Sequence, residues 1–179
     1  VLDMLNVKYI IDLNESGNIE LKINEDVMGS AWFVDEVQKV TDSNQELLGL
    51  SSIDYKKTCL STNLNNKTYP DSSENYIEIV DKRANQITYK VSSNDTGFIV
   101  FSEAFYKNGW VAKINGEVTD IHKVNYLLRG LEVEGGEHEI VFTFEPNVIK
   151  TGTLLMASSN ILLLILVFFS FRNMIKNVQ

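Results

Sequence analysis

The clearest indication of a β fold is the stretch Trp110-Val-Ala-Lys-Ile-Asn-Gly-Glu-Val-Thr-Asp-Ile121. Two strand-like segments flank the dipeptide Asn115-Gly116. A two-residue turn of type I′ needs a positive φ angle at both positions, which Asn and Gly adopt more readily than other residues. The stretch therefore predicts a β-hairpin that turns at Asn115-Gly116.

Further strands are predicted on both sides of this hairpin. They are short, strand-like in pattern and separated by turn residues. The predicted strands are 76–80, 86–92, 98–103, 110–114, 117–124, 126–133 and 138–144. The segment 98–101 is apolar at every position, as expected of a central strand that is buried on both faces. Seven strands at this spacing predict a β-sandwich or a jelly roll.

The first 70 residues mix strand and helix signals. Ile19–Ile23 alternates apolar and charged residues, which predicts a half-buried strand. Ser43-Asn-Gln-Glu46 predicts a capping box at the start of a short helix. The predicted fold is mainly β, with a short α+β N-terminal segment at 1–70 that packs on a β-sandwich at 71–150.

A transmembrane helix is predicted at 151–172, followed by a short tail at 173–179. The 20 residues from Gly152 to Phe171 include no charged residue. At about 1.5 Å per residue they reach roughly 30 Å, the thickness of the hydrocarbon core of a bilayer. The polar group Ser158-Ser-Asn160 within this helix would meet either a neighbouring helix or the headgroup layer.

The distribution of charge predicts an orientation in the membrane. All 24 acidic residues precede Thr151, whereas the tail contains Arg172 and Lys176 and no acid. The positive-inside rule then places the tail in the cytoplasm and 1–150 on the extracytoplasmic side. The predicted partner is the lipid bilayer, and the acidic domain argues against binding to nucleic acid. The alternative is a tail-anchored cytoplasmic interaction protein.

Residues that could carry chemistry are few. His122 and His138 lie on separate predicted strands, and Cys59 is the only cysteine. No spacing typical of a metal site, a catalytic triad or a phosphate-binding loop accompanies them. We therefore predict no catalytic residue, no metal site and no cofactor in this part of the protein.

One cluster indicates a binding site for sugars. Aromatic rings stack on the apolar faces of sugars, while carboxylate, amide and guanidinium groups bond to hydroxyls. The candidate saccharide contacts are Glu103, Tyr106, Trp110, Asn125 and Arg129. The alternative is structural: the two aromatic residues close the end of the sandwich, and an ion pair between the carboxylate and the guanidinium fixes a hairpin.

Several of these stretches also carry a family resemblance. The chain resembles the C-terminal end of the bacterial YfhO family over nearly its whole length, mainly through turn and core residues. Upstream segments that look similar are Leu5–Ile11 and Gly29–Val34. The downstream segments are Ser102–Gly116, Val124–Leu131, Gly136–Ile140 and Phe144–Pro146, followed by a last hydrophobic helix.

The resemblance implies a large polytopic membrane protein similar to GT-C glycosyltransferases. Such enzymes transfer a sugar from a polyprenyl-phosphate-linked donor outside the cytoplasm, in some relatives onto cell-envelope polymers such as teichoic acids. Their catalytic carboxylate lies in an early extracytoplasmic loop, so no catalytic residue is assigned to this chain. We expect a C-terminal fragment whose β-domain positions the acceptor or braces the other transmembrane helices. The alternative is a membrane-anchored carbohydrate-binding or adhesion module without catalysis.

Overall fold

The computed structural model of the protein describes residues 1–14 and 17–176. The fold is mainly β, as predicted, with one short and one long helix. The strands are β1 Tyr9–Leu13, β2 Ile19–Ile23, β3 Ala31–Val34, β4 Glu36–Lys39, β5 Thr58–Ser61, β6 Lys67–Thr68, β7 Tyr76–Arg83, β8 Gln86–Ser93, β9 Gly97–Ala104, β10 Trp110–Ile114, β11 Glu117–Thr119, β12 His122–Val124, β13 Leu128–Val133 and β14 Gly136–Phe144. The helices are α1 Ser43–Gly49 and α2 Asn147–Lys176.

Two sheets face each other as a β-sandwich. One has five strands in the order β11-β10-β14-β8-β7, and the other has four in the order β12-β13-β9-β3. Aromatic rings from both sheets meet between them: the Phe101 ring centre lies 5.0 Å from that of Tyr89 and 4.9 Å from that of Phe142. These edge-to-face contacts stabilise the core beyond the area that they bury.

A second core lies on the other side of the four-stranded sheet. There the sheet packs against an N-terminal layer made of α1 and the small sheet β5-β4-β6. Strand β9 serves both cores, because Phe98 and Val100 belong to the outer cluster while Ile99 and Phe101 belong to the cluster inside the sandwich. This confirms the prediction of a central strand that is buried on both faces.

The turn of the β10–β11 hairpin is confirmed. Asn115 and Gly116 have φ angles of 52° and 89°, as a type I′ turn requires. The prediction of one strand over 117–124 was wrong, because β11 pairs with β10 in one sheet whereas β12 pairs with β13 in the other. The chain crosses between the sheets at Asp120 and Ile121.

The short helix begins as expected, but different residues cap it. Asp42, not Ser43, is the N-cap, and its carboxylate accepts hydrogen bonds from the backbone N–H groups of the first turn. Glu46 does not complete a capping box. Its side chain is fully buried, and one carboxylate oxygen lies 3.1 Å from Nζ of Lys123 on β12. The helix is thereby held against the sandwich by a buried ion pair.

Strand β2 is more exposed than its alternating pattern predicted. It pairs only with β1, in a separate two-stranded sheet. All five of its residues are exposed rather than half-buried, because the described part of the chain places no other layer against the apolar face of this hairpin.

Helix α2 is the predicted transmembrane helix, and it begins at Asn147, before the predicted start at 151. Its apolar portion runs from Asn147 to Ser170 and is exposed in the structure. The hydroxyl groups of Ser158 and Ser159 both donate to the carbonyl oxygen of Leu155, so both hydrogen-bond within the helix. Of the predicted tail, residues 177–179 lie outside the described residues.

Candidate functional site

A cleft of about 650 Å³ lies where the sandwich meets the start of α2. Its walls come from the segment before β10, from β10 itself, from the end of β14 and from the first residues of the helix. The lining residues are Tyr106, Lys107, Asn108, Gly109, Trp110, Val111, Phe144, Glu145, Pro146, Asn147 and Val148. The cleft therefore opens beside the helix that crosses the membrane.

The aromatic wall of the cleft follows from the pairing of β10 with β14. Trp110 and Phe144 are directly opposite each other in this antiparallel pair, and such cross-strand neighbours pack side by side. The centre of the Phe144 ring lies 5.3 Å from that of Trp110 and 6.4 Å from that of Tyr106. Three rings thus form one surface, with Phe144 in the middle.

Gly109 allows this aromatic surface to close. Its φ angle is +140°, a conformation that residues with a side chain rarely adopt. A Cβ atom at this position would also lie 2.5 Å from the Phe144 ring. In addition, the carbonyl oxygen of Gly109 accepts a hydrogen bond of 2.6 Å from the backbone N–H of Glu145. A glycine is required here by both the backbone conformation and the neighbouring ring.

Polar groups lie at the rim of the aromatic wall. Lys107 and Asn108 come from the segment before β10, while Glu145 and Asn147 come from the start of the helix. The carboxylate of Glu145 accepts a hydrogen bond of 2.7 Å from Nζ of Lys150, and this contact lowers the pKa of Glu145. The rim thus offers an ammonium group, two amides and an ionised carboxylate.

Arg129 lies behind the aromatic wall and is almost completely buried. Its guanidinium carbon is 4.3 Å from the centre of the Trp110 ring and 5.3 Å from that of Phe142. Its Nε donates to the carbonyl oxygen of Ala104 at 2.9 Å. Burial lowers the pKa of Arg129, and the nearby carboxylate of Glu103 partly opposes that effect. Arg129 therefore supports the Trp110 ring from below.

The other two predicted saccharide contacts, Glu103 and Asn125, do not line the cleft. Glu103 forms its ion pair with Lys82 on β7 at 2.7 Å, rather than with Arg129 as the structural alternative had it. Asn125 is buried, and its side-chain oxygen accepts a hydrogen bond of 2.9 Å from the backbone N–H of Leu60. Leu60 belongs to the core between the four-stranded sheet and the N-terminal layer, so Asn125 joins those two layers.

Of the five predicted contacts, the structure places two in the cleft, Tyr106 and Trp110, with Arg129 beneath them. The sequence reasoning missed the polar rim. A signal for two of its members was present, since Lys107 and Asn108 lie between the aromatic residues in the sequence.

The described residues contain neither a metal-binding group nor an accessible thiol. Among the described residues, no group of three or more His, Cys, Asp or Glu side chains is placed to hold a metal ion. Cys59 is fully buried in the outer core, and burial raises the pKa of its thiol well above the ordinary value.

Comparisons with known proteins point to one family. A family model described as bacterial membrane protein YfhO matches residues 58–156, more than half of the chain. The match runs from β5 into the first part of α2 and includes the whole cleft. Comparisons with curated proteins and with solved structures found no match.

Proposed function

The chain belongs to the YfhO family of bacterial membrane proteins, and on that basis we propose that it is part of a polytopic protein that transfers sugars from a polyprenyl-phosphate-linked donor to a cell-envelope polymer. The catalytic carboxylate of such an enzyme would come from outside this chain. The β-domain would act on the extracytoplasmic side of the bacterial cell membrane, where it would position the acceptor and pack beside the other transmembrane helices.

The observation that carries this proposal is the position of the aromatic cleft. A lipid-linked sugar is held at the membrane surface, so its acceptor must be presented close to the bilayer. The rings of Tyr106 and Trp110 both contact the ring of Phe144. Phe144 is only three residues before the first residue of α2. Exposed aromatic faces with amide and carboxylate groups at the rim are suited to one face of a sugar and its hydroxyl groups.

The charge pattern supports the proposed side of the membrane. The basic residues Arg172 and Lys176 follow the span, and all acidic residues precede it. The positive-inside rule counts basic residues near the ends of a span, and the two that follow this one outnumber the single Lys150 before it, which favours a cytoplasmic tail.

Titration of the full chain with cell-wall oligosaccharides tests the binding step. Tyr106→Ala removes one exposed ring of the cleft, and Tyr76→Ala is the matched control, since Tyr76 is equally exposed but begins β7 at the opposite end of the sandwich. We expect the first variant to bind about tenfold more weakly and the second to bind unchanged. No calorimetric heat with the unmodified chain at millimolar sugar would contradict the proposal.

A second candidate is a membrane-anchored module that binds carbohydrate without transferring it. The observation in its favour is that the cleft combines aromatic rings with amide and ammonium groups at its rim, which suffices to bind a sugar without a reaction. Sugar transfer in membranes from cells that express the complete gene separates the two candidates. Under the transferase proposal, Tyr106→Ala lowers the transfer rate in proportion to its loss of binding. Binding without any transfer would favour the module.

A further inference from the structure

The β1–β2 hairpin presents an exposed apolar face. Directly opposite residues of an antiparallel pair lie on the same face of the ribbon. Three such pairs are apolar: Tyr9 with Ile23, Ile11 with Leu21, and Leu13 with Ile19. Each of the six residues is between 57% and 78% exposed, so the whole face is open to whatever surrounds the domain.

The other face of the hairpin is charged. Asp12 and Glu20 lie opposite each other there, and Nζ of Lys22 is 3.2 Å from the Asp12 carboxylate. The hairpin is therefore amphipathic, with one face suited to water. A two-stranded hairpin is marginally stable in water by itself, and a contiguous exposed apolar patch marks an interaction surface.

Hydrogen bonds attach the base of the hairpin to one end of β9. The side-chain amide of Asn24, just after β2, donates to the Asp3 carboxylate at 2.7 Å. The Ser102 hydroxyl oxygen on β9 then lies 2.7 Å from the carbonyl oxygen of Met4 and 2.9 Å from that of Gly29. The hairpin thus extends from the part of the sandwich that surrounds Ser102.

That end of the sandwich is also the end at which α2 begins. Ala104, two residues after Ser102, accepts the hydrogen bond from Arg129. Arg129 stacks on Trp110, and Trp110 is paired with Phe144 at the end of β14. The helix starts three residues later. A short series of direct contacts therefore connects the base of the hairpin to the start of the transmembrane helix.

We propose that the apolar face of the β1–β2 hairpin lies in the interfacial layer of the bilayer that α2 crosses. The transmembrane helix holds this end of the domain at the lipid surface, so contact with lipid is effectively intramolecular and needs little affinity of its own. A second copy of the chain would have to be recruited by diffusion. In this arrangement the apolar side chains enter the headgroup and acyl boundary, as in interfacial amphipathic elements, while the charged face remains in water.

Fluorescence quenching in nanodiscs that hold one copy of the full chain tests the proposal. Ile11→Cys carries an environment-sensitive fluorophore on the apolar face, and Asp12→Cys carries it on the charged face of the same strand. Cys59 is fully buried, and the unmodified chain measures its background labelling. The quenchers are phospholipids with nitroxide groups near the headgroup and, separately, aqueous iodide.

We expect the lipid nitroxides to quench the Ile11→Cys probe at least threefold more than the Asp12→Cys probe, with iodide showing the reverse order. Equal iodide quenching of both probes would overturn the proposal. So would an Ile11→Cys probe that is protected from iodide but not quenched by lipid, because another protein segment would then cover the face. Protection that appears only with two copies per disc would assign the face to a second copy and would also overturn it. An unchanged thermal unfolding midpoint confirms that each labelled variant is folded.

Discussion

The central carbon of the Arg129 guanidinium group lies 4.3 Å from the centre of the Trp110 ring, while Nε of the same side chain donates a hydrogen bond to the carbonyl oxygen of Ala104. A lysine would keep the charge but could not reproduce both the stacking and the directed hydrogen bond. We expect Arg129→Lys to lower the free energy of unfolding by about 2 kcal/mol. Arg83→Lys, at an exposed arginine on β7, is the control. Equal unfolding midpoints for the two variants in urea would contradict this prediction.

Breaking the buried ion pair between Glu46 and Lys123 is expected to lower the free energy of unfolding by more than Arg129→Lys does. Lys123→Met leaves the Glu46 carboxylate in the core without its counter-charge, which costs roughly 3 kcal/mol. Adding Glu46→Gln to that variant should restore part of the lost stability, because the buried group is then neutral. Lys90→Met, at an exposed position of β8, serves as control. Urea unfolding in detergent measures the unmodified protein, both single variants Lys123→Met and Glu46→Gln, the double variant and the control. Additive losses in the double variant would exclude coupling.

The hydrogen bond from the Tyr55 hydroxyl to the Asp3 carboxylate predicts a dependence of stability on pH. This bond, with a further one from Asn24, lowers the pKa of Asp3 below its ordinary value of 3.8. A carboxyl group with a lowered pKa in the folded state stabilises the fold above its unfolded pKa, and that contribution is lost as pH falls through the folded pKa.

Tyr55→Phe should therefore lower the unfolding temperature at pH 6, with the difference from the unmodified protein shrinking as pH falls below about 4. Tyr9→Phe, at an exposed tyrosine of the hairpin, is the control. A difference that stays constant from pH 6 to pH 3 would show that Asp3 ionisation is not involved.

The shape of the aromatic cleft depends on Gly109. Gly109→Ala places a methyl group where the Phe144 ring lies, whereas Gly116→Ala meets no atom within 4 Å although its φ angle is also positive. We expect both variants to lose about 1 kcal/mol from backbone strain. Only Gly109→Ala should also displace the ring beside Trp110 and shift the tryptophan emission. Identical emission spectra for the two variants would contradict the packing described for Phe144.

The side of the membrane can be tested with a surface thiol. Cys59 is buried and its pKa is raised, so an impermeant maleimide should not label the unmodified folded protein. Glu137→Cys introduces a thiol at an exposed position of β14. Under the proposed extracytoplasmic placement this thiol reacts in intact cells. Labelling only after lysis would instead place the β-domain in the cytoplasm.

The fold class was predictable because its signals are local. The Asn115-Gly116 turn is specified by two residues, and the apolar run of β9 needs only its own sequence. The division of 117–124 between two sheets was not predictable, because it depends on where β12 finds its partner β13. The N-cap was missed by one residue, since Asp42 and Ser43 are both good capping residues. Glu46 does not complete a capping box because it forms an ion pair with Lys123, which is far away in the sequence.

The candidate site was predictable only where its residues are close to each other in the sequence. Tyr106 and Trp110 are close in sequence and lie in one cleft. An asparagine can hydrogen-bond to a sugar, but the side-chain oxygen of Asn125 accepts a hydrogen bond from the backbone N–H of Leu60, which is far away in the sequence. Likewise, the alternation of Ile19–Ile23 indicates that β2 has two different faces, but an alternating pattern contains no information on what covers the apolar one.

Strand β9 also sets the order in which this protein can fold as it is synthesised. Its neighbours in the sheet are β3, which ends at Val34, and β13, which begins at Leu128. Neither core can close before β9 has both neighbours, so the N-terminal layer must wait, with its apolar side uncovered, while almost a hundred further residues are made. The outer core can close once β13 has been made, whereas the inner core also needs Ile140 and Phe142 of β14. The two cores therefore become complete at different stages, and apolar surface stays open to misfolding in between.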